Sequence, residues 1–530
     1  MNLPFPLALA FAGITGFIAL GYELLWTRLY SFASGSRAQA FGTMLGFYLL
    51  GLAVGSLLSR FWQRDESRDR SRLIVLSRLV LLSNLVAFCV VPAASWLIVV
   101  SNWVRISPLS MVGSALLGTL LPLLCHLAIP ADEKAGARMS YIYLANIVGS
   151  GAGSLITGFL LMDCLKLWQI AALLLSCSLV VAVALACYSR SIRRWDWAVG
   201  AVAAGLLCSS YSQHDRIYER LQLEDGYRSG TRFANIVESR HGVITVTTNR
   251  AVFGGGVYDG IIETKLTPRT GLVRPYFVSA IHPNPKDVLV VGMSAGAWTQ
   301  ILASHPQVEH VTVVEINRAY LQIIRAYPQV SSILTNPKVE IIFDDGRRWL
   351  RRNPQRKFDA IMMNTTFHWR EFVSALLSKE FLEMGKTHLK PDGFMMWNCT
   401  GSDRAARTGL EVFPYTMMVI NNCVGSLSPL QPDAQRWRDV LTRYQIDGQP
   451  LFDLTQTADR DILEQLISFA SPGPAQYQNW RTMDRKEMEE KFGKAMIITD
   501  DNLGHEYSST FRTLCCSLIP GLNRTLARLF

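Results

Sequence analysis

Between Asp287 and Thr366 four short apolar runs each end in residues able to hold a polar ligand. Asp287–Val291 leads into the turn Gly292-Met293-Ser294-Ala295-Gly296, and Val311–Val314 ends in Glu315, 23 residues after Gly292. Val339–Phe343 leads into Asp344-Asp345-Gly346, and Asp359–Met363 into Asn364-Thr365-Thr366. Strand, glycine turn, helix, strand, acid is the order of a nucleotide-binding βαβ unit. The glycines let the backbone approach the ligand, and a carboxylate at the second strand tip can hold both ribose hydroxyls. Ligands of such sheets lie beyond the C-terminal ends of the strands, so Gly292, Ser294, Gly296, Glu315, Asp345, Gly346 and Thr365 are expected to converge there. The turn also fits Gly-x-Ser-x-Gly, the nucleophile elbow of serine hydrolases, with Ser294 as nucleophile and Asp500 or Asp501 plus His505 as partners. That reading leaves Glu315 and Asp345 without a task.

Two further groups flank these tips. Tyr258, Asp259 and Glu263 can supply carboxylates and a phenol from the upstream side. Phe367-His368-Trp369-Arg370 is rich in groups that stack on or enclose a sulfonium and that bind a carboxylate.

Residues 233–400 resemble spermidine synthase, in the branch where that domain is fused behind a multi-span membrane region. Asp287–Asn317, Val339–Leu350 and Phe358–Gly393 carry the likeness, and His241–Val246 through Asn249 resembles the small β-domain preceding the Rossmann-like core of such enzymes. Tyr22-Glu23 with Trp26 and Arg28, then Tyr143-x-x-Asn146-x-x-Gly149, and the closing Thr499-Asp500-Asp501 with Glu506-Tyr507 resemble the fused branch. The resemblance implies that Glu315 binds ribose and that Asp345 accepts a hydrogen bond from the adenine amino group. The implied ligand is S-adenosylmethionine, its decarboxylated form or methylthioadenosine, with no metal.

The pattern departs from the family where transfer chemistry is done. The acid expected in the glycine turn is Ala295, the strand-tip acid that helps deprotonate the acceptor amine is Asn364, and a second acid three residues on is Phe367. A polyamine is a multiple cation, and holding it and removing a proton at neutral pH needs nearby carboxylates. Asn364 can orient a group but cannot take its proton. Ordinary use of putrescine is therefore not expected, and Asn364, His368, Asp259, Tyr258 and Glu263 are the candidates for catalytic parts. Three functions remain open. One is sulfonium chemistry releasing methylthioadenosine, by aminopropyl or aminocarboxypropyl transfer or by cyclisation of the donor's own chain. A second is methyl transfer. The third is a non-catalytic nucleoside- or polyamine-binding domain controlling a transporter.

The elements that must position these residues occupy only the second part of the chain. Of 530 residues, 49% are hydrophobic and 18% charged, and the apolar excess is concentrated before residue 210. Runs near 5–22, 38–58, 73–100, 110–130, 140–162 and 168–188 each approach the ~20 residues that a ~30 Å hydrocarbon core demands. A weaker seventh candidate covers 195–209. Gly51 with Gly55, and Gly149 with Gly153, have the spacing that lets helix backbones approach closely. Glu23 and Arg28 are expected at the end of the first span, with Arg78 and His126 in or near later ones, where a charge tends to be paired or wet. The expected fold is an N-terminal α-helical transmembrane bundle of six or seven spans (1–210) and a small β-rich domain (211–285). A Rossmann-like, spermidine synthase-like α/β domain (286–425) and a helical C-terminal extension (426–530) follow.

The formal charge of +10 is scattered, with much of it in short loops, so lipid headgroups rather than nucleic acid are the expected anionic neighbour. The other expected partner is a small-molecule substrate, and a homo-oligomer is compatible with the sequence. Six of ten cysteines lie in or beside apolar runs, and the adjacent Cys515 and Cys516 have no metal-ligand spacing, so neither a disulfide framework nor a zinc site is implied. Five arginines (Arg60, Arg64, Arg68, Arg70 and Arg72) in the 59–72 loop put that loop and the N-terminus on the cytoplasmic side. With six spans, an integral protein of a bacterial inner membrane then holds its soluble half in the cytoplasm.

Overall fold

A computed structural model describes residues 3–63, 72–190, 192–266, 272–365, 367–371, 373–470 and 482–507. Arg64, Arg68, Arg70, Thr366, Cys515 and Cys516, and the side chains of His505, Glu506 and Tyr507, lie outside them. The described residues divide into two units, one comprising residues 3–232 with Glu238–Val243, the other Phe233–Val237 with residues 244–507.

Six helices of the first unit are long and apolar enough to cross a membrane: α1 (Phe5–Ala33), α2 (Ala38–Leu58), α3 (Leu73–Val100), α4 (Trp103–Ala128), α5 (Ala135–Cys164) and α6 (Leu167–Ser189). The seventh candidate is α7 (Arg194–Cys208), whose 15 residues span about 22 Å, short of the ~30 Å core. The glycine pairs mark the tightest crossings. A Cβ on Gly51 or Gly55 would overlap Ser114 or the Ala115 carbonyl on α4, and one on Gly149 or Gly153 would overlap the Gly13 or Phe17 carbonyl on α1. Such positions accept only a hydrogen, so the small residues set how near the backbones come.

The first helix differs from expectation because it runs on to Ala33, leaving Glu23 and Arg28 inside it rather than at its end. Nothing after Tyr22 breaks it: Leu24, Leu25 and Trp26 continue the apolar pattern, and no glycine or proline intervenes. Arg28 is buried, 3.9 Å from Glu238. The same carboxylate accepts from the Tyr218 hydroxyl at 2.9 Å and the Leu167 N–H at 2.8 Å, so the buried charge is paired within this unit. Arg78 likewise forks onto Asp196 of α7, at 2.6 and 3.0 Å.

A four-stranded sheet follows in sequence order: β1 (Asn235–Ser239), β2 (Gly242–Val246), β3 (Ala251–Gly254) and β4 (Val257–Ile261), the last two residues of β1 and the first two of β2 being counted with the first unit. An eight-stranded mixed sheet follows. Its strands are β5 (Asp287–Val291), β6 (His310–Glu315), β7 (Val339–Phe343), β8 (Phe358–Met363), β9 (Leu389–Asn398), β10 (Tyr415–Val419), β11 (Asn422–Ser426) and β14 (Thr482–Met483). The order is β14-β10-β11-β9-β8-β5-β6-β7, with β7 to β9 parallel and the hairpin β10–β11 and β14 antiparallel. Alternate residues of β5 enter different cores, Val288 and Val290 one, Leu289 and Val291 the other, as expected of a parallel strand covered on both faces. The chain leaves β5 towards β6 on one side and returns to β8 on the other, so the tips of β5 and β8 flank a topological switch point.

Three helices matter to the site: α8 (Ala297–Ser304) after the glycine turn, α9 (Tyr320–Ala326) after β6, and α10 (Gly346–Arg352) after β7. The last hundred residues are not purely helical. They include the small hairpin β12 (Gln445–Ile446) and β13 (Gln449–Pro450), and β14 extends the main sheet.

Candidate active site

The turn after β5 adopts backbone shapes that explain its composition. Gly292 and Gly296 have φ of +92° and +78°, and a Cβ on Gly292 would press on the Asn364 carbonyl at 2.7 Å. Ser294 also has positive φ, +50°, unusual for a residue with a side chain. Its hydroxyl donates to the Asp259 carbonyl, which ties the turn to β4 and uses the proton a hydrolase would deliver to a base. Asp500, a suggested hydrolase partner, is bound to Arg347 instead, 2.8 Å from Nη1.

Glu315, at the tip of β6, is buried. Its two oxygens accept the Met293 and Asn317 N–H groups, both at 2.7 Å. Burial pushes its carboxyl above the usual range, against the Asn317, Met293 and Ser294 N–H groups. A carboxylate has about four lone-pair sites, so these N–H groups fix its orientation and still leave capacity for a ribose hydroxyl. Asp345 caps α10, accepting the Arg348 N–H at 2.7 Å, and Asp344 beside it pairs with Arg348. Gly346 starts that helix with no room for a Cβ, which would meet Val291 at 2.7 Å.

A cavity of about 200 Å³ opens at the tips of β5 and β8. Of the residues singled out in the sequence, Tyr258, Asp259, Ser294, Asn364 and Thr365 line it, together with Ala295 and Phe367. Glu315, Asp345 and Gly346 stand on neighbouring tips outside this lining. Glu263 is directed elsewhere, to Arg250 at 2.8 Å. His368 also lies outside the lining: its Nδ1 is 3.3 Å from the Thr400 carbonyl, and its ring meets Trp369 edge-on. Phe367 stacks on Trp369 at 4.3 Å with the planes 9° apart.

Among the described residues, Asp259 is the one carboxylate in the lining, and it is already engaged. Arg370 reaches it at 3.0 Å and the Tyr320 hydroxyl donates to it. Burial is the largest single influence and opposes the Arg370 charge, yet Asp259, Tyr320 and Glu315 together hold the guanidinium above its ordinary value. The arginine that the sequence suggested for a ligand carboxylate thus serves a protein one. Sequence reading missed Arg274, Asn398, Thr400 and Asn421, which complete the wall. The available signal was Arg274 itself, a lone charge in the apolar stretch Leu272–Ile281.

The family model for the spermine/spermidine synthase domain matches residues 276–400. This stretch is similar to the spermine/spermidine synthase domain. Among curated relatives, the polyamine aminopropyltransferase of Streptococcus pneumoniae serotype 4 is 34% identical over 119 residues, 22% of this chain and 41% of that one. The Moorella thermoacetica polyamine aminopropyltransferase is 29% identical over 184 residues, 31% of this chain and 64% of that one. The chain therefore spans less than two thirds of the length of these relatives. The crystal structure of spermidine synthase from Thermotoga maritima aligns at 17% identity with a TM-score of 0.36, covering 44% of this chain and 84% of that one. The matched stretch coincides with the parallel part of the sheet, from the helix before β5 to the end of β9, and so includes Glu315, Asp345 and Asn364.

Proposed function

We propose that the second unit binds an adenosyl sulfonium and releases methylthioadenosine. It would do so by aminopropyl-type or aminocarboxypropyl transfer or by intramolecular cyclisation, with putrescine a poor acceptor. The observation that carries this reading is the division of the site: a cradle for a nucleoside at Glu315 and Asp345 beside a cavity whose one carboxylate is already engaged. At about 200 Å³ the cavity is smaller than the ~300–1,000 Å³ of ordinary ligand pockets, so it suits the donor's chain and a small nucleophile while the nucleoside lies on the strand tips.

A sulfonium is an activated leaving group, so the protein's task is to hold it dry and aligned for in-line attack. The nucleophile's lone pair forms the new bond to the γ-carbon, the C–S bond breaks, and its electron pair stays on sulfur as methylthioadenosine departs. An amine nucleophile then loses its proton to solvent. Asn364 and Thr365 can orient the nucleophile, and the Phe367–Trp369 stack provides an aromatic wall able to face a cation. Methyl transfer would instead release S-adenosylhomocysteine. Incubating the purified protein separately with S-adenosylmethionine and its decarboxylated form, and identifying products by mass spectrometry, tests the reading. Methylthioadenosine is the expected product, and binding without turnover would favour a sensor.

For the first unit we infer residence in a bilayer, with the second unit on the cytoplasmic side. The support is the length and composition of six helices and the basic 59–72 loop.

A further inference from the structure

We propose that Arg370 is a positioning residue: held by Asp259, it fixes the turn Phe367–Arg370 so that the Phe367 ring receives the donor's positive sulfur. The inference rests on the adenosyl-binding reading above and narrows it to how a sulfonium is told from a neutral thioether. Arg370 stands outside the cavity lining, whereas Phe367 and Asp259 belong to it. Its Nη1 donates to Asp259 Oδ1 at 3.0 Å, and its backbone N–H donates to the Phe367 carbonyl at 3.1 Å, closing the turn. The Val373 N–H donates to the Arg370 carbonyl at 3.2 Å, so a second turn follows directly. Pinning Arg370 therefore limits where Phe367 can go. Trp369, stacked on Phe367 at 4.3 Å, belongs to the same turn and backs the ring.

Asp259 has the contacts of an anchor. Its carbonyl accepts the Ser294 hydroxyl from the turn after β5, and its carboxylate accepts the Tyr320 hydroxyl from α9 as well as Arg370. One residue of β4 thus gathers three connections that leave the strand tips. The neighbouring strand leaves room for this knot. A Cβ on Gly254 of β3 would stand 2.5 Å from the Tyr320 hydroxyl, 2.8 Å from Asp259 Oδ2 and 2.9 Å from Arg370 Nη2. Gly254 ends an ordinary strand, so space for the three polar groups accounts for the glycine. An aromatic face attracts a cation through its quadrupole and has no comparable attraction for a neutral thioether. A ring held in place therefore favours the charged donor over methylthioadenosine, which helps the product leave. A displaced ring loses that attraction, while the nucleoside keeps its contacts at Glu315 and Asp345.

Calorimetry on the full-length protein in detergent tests this, with methylthioadenosine as the thioether and S-adenosylmethionine and its decarboxylated form as sulfonium ligands. In Phe367→Leu and in Arg370→Gln the ratio of sulfonium to thioether affinity should fall about tenfold, with methylthioadenosine affinity changed less than about threefold. Asp259→Asn should move the ratio in the same direction. That agreement separates positioning from charge: acting by charge alone, loss of Arg370 would strengthen sulfonium binding and loss of the Asp259 charge would weaken it. Arg370→Gln combined with Phe367→Leu should be little worse than either change alone, because both remove one contact. Arg370→Lys, which keeps the charge, should lose only part of the ratio, and it serves the same comparison if Arg370→Gln does not fold. Tighter sulfonium binding in Arg370→Gln, additive losses in the double variant, or equal losses of thioether and sulfonium in folded variants would overturn the proposal. So would methylthioadenosine binding by an unmodified protein that takes neither sulfonium. Failure of the unmodified protein to bind methylthioadenosine would overturn the adenosyl-binding reading instead.

Discussion

At the scale of single residues, the strand-tip acids and the missing acids make separate predictions. Glu315→Ala and Asp345→Ala should each weaken methylthioadenosine binding by about 1–3 kcal/mol, since each removes a hydrogen-bond partner from a polar ligand. Calorimetry measures this, and unchanged affinity in both variants would remove the adenosyl assignment. Glu315→Ala should also lower the melting temperature, because it strips the Met293 and Asn317 N–H groups of their acceptor. Asp345→Ala should lower it less, since one helix cap at a partly exposed position is lost. The acceptor side is tested by adding putrescine: product formation by the unmodified protein should barely change, while Ala295→Asp with Asn364→Asp should bring some transfer to putrescine. Robust spermidine formation without those changes would mean that Asp259, despite its bond to Arg370, serves as the acceptor's acid. Ala295, Asn364 and Phe367 were legible in the sequence because a side chain's capacity to carry a proton is a property of its type. The engagement of Asp259 was not, because its partner Arg370 lies 111 positions away and only folding brings the two together.

At the scale of elements, close helix crossings and buried termini decide what substitutions cost. Gly149→Leu should destabilise the first unit by about 1–3 kcal/mol or more, since α1 and α5 must separate to admit the side chain. The same change at Gly151, where a Cβ has open space, should be nearly neutral. Melting curves of the two variants in one detergent make the comparison. In the second unit, His305 follows α8 and is fully buried, which brings its imidazole down to about 4 from the ordinary 6.5, with nearby Lys338 acting in the same direction. The unfolded chain therefore takes up a proton at higher pH than the folded one. The stability conferred by neutral His305 is present above pH 6.5 and is lost as pH falls towards about 4, by up to about 3 kcal/mol. Unfolding measured at pH 7, 5.5 and 4 should show the loss, and His305→Gln should flatten it. The glycine spacings were visible in the sequence, whereas which helix each pair meets is a matter of bundle topology.

At the scale of the whole molecule, the basic 59–72 loop predicts that a reporter fused after Phe530 is active in the cytoplasm and silent in the periplasm. Periplasmic activity would put the second unit on the other side and, with a cytoplasmic N-terminus, require α7 to span. The length of α7 argues against that, since 15 residues fall short of the hydrocarbon core. Much of the architecture was determined by the sequence alone: six apolar runs, the order of strands and acids from Asp287 to Asn364, and the glycine turn. These are legible because span length, hydrophobic period and turn chemistry depend on residues close together in the chain. The pairing of Arg28 with Glu238, 210 positions on, was decided by packing. The wall of the cavity likewise belongs to the tertiary structure. Tyr258, Arg274, Ser294, Asn364, Thr400 and Asn421 come from segments spread over 164 positions, and no local pattern records that they face one space. Above all, Arg370, which the sequence suggested for a ligand carboxylate, is bound to a protein one. Charge type is written in the sequence, but whether a charge meets a partner or a ligand depends on which groups folding sets within a few ångströms of it.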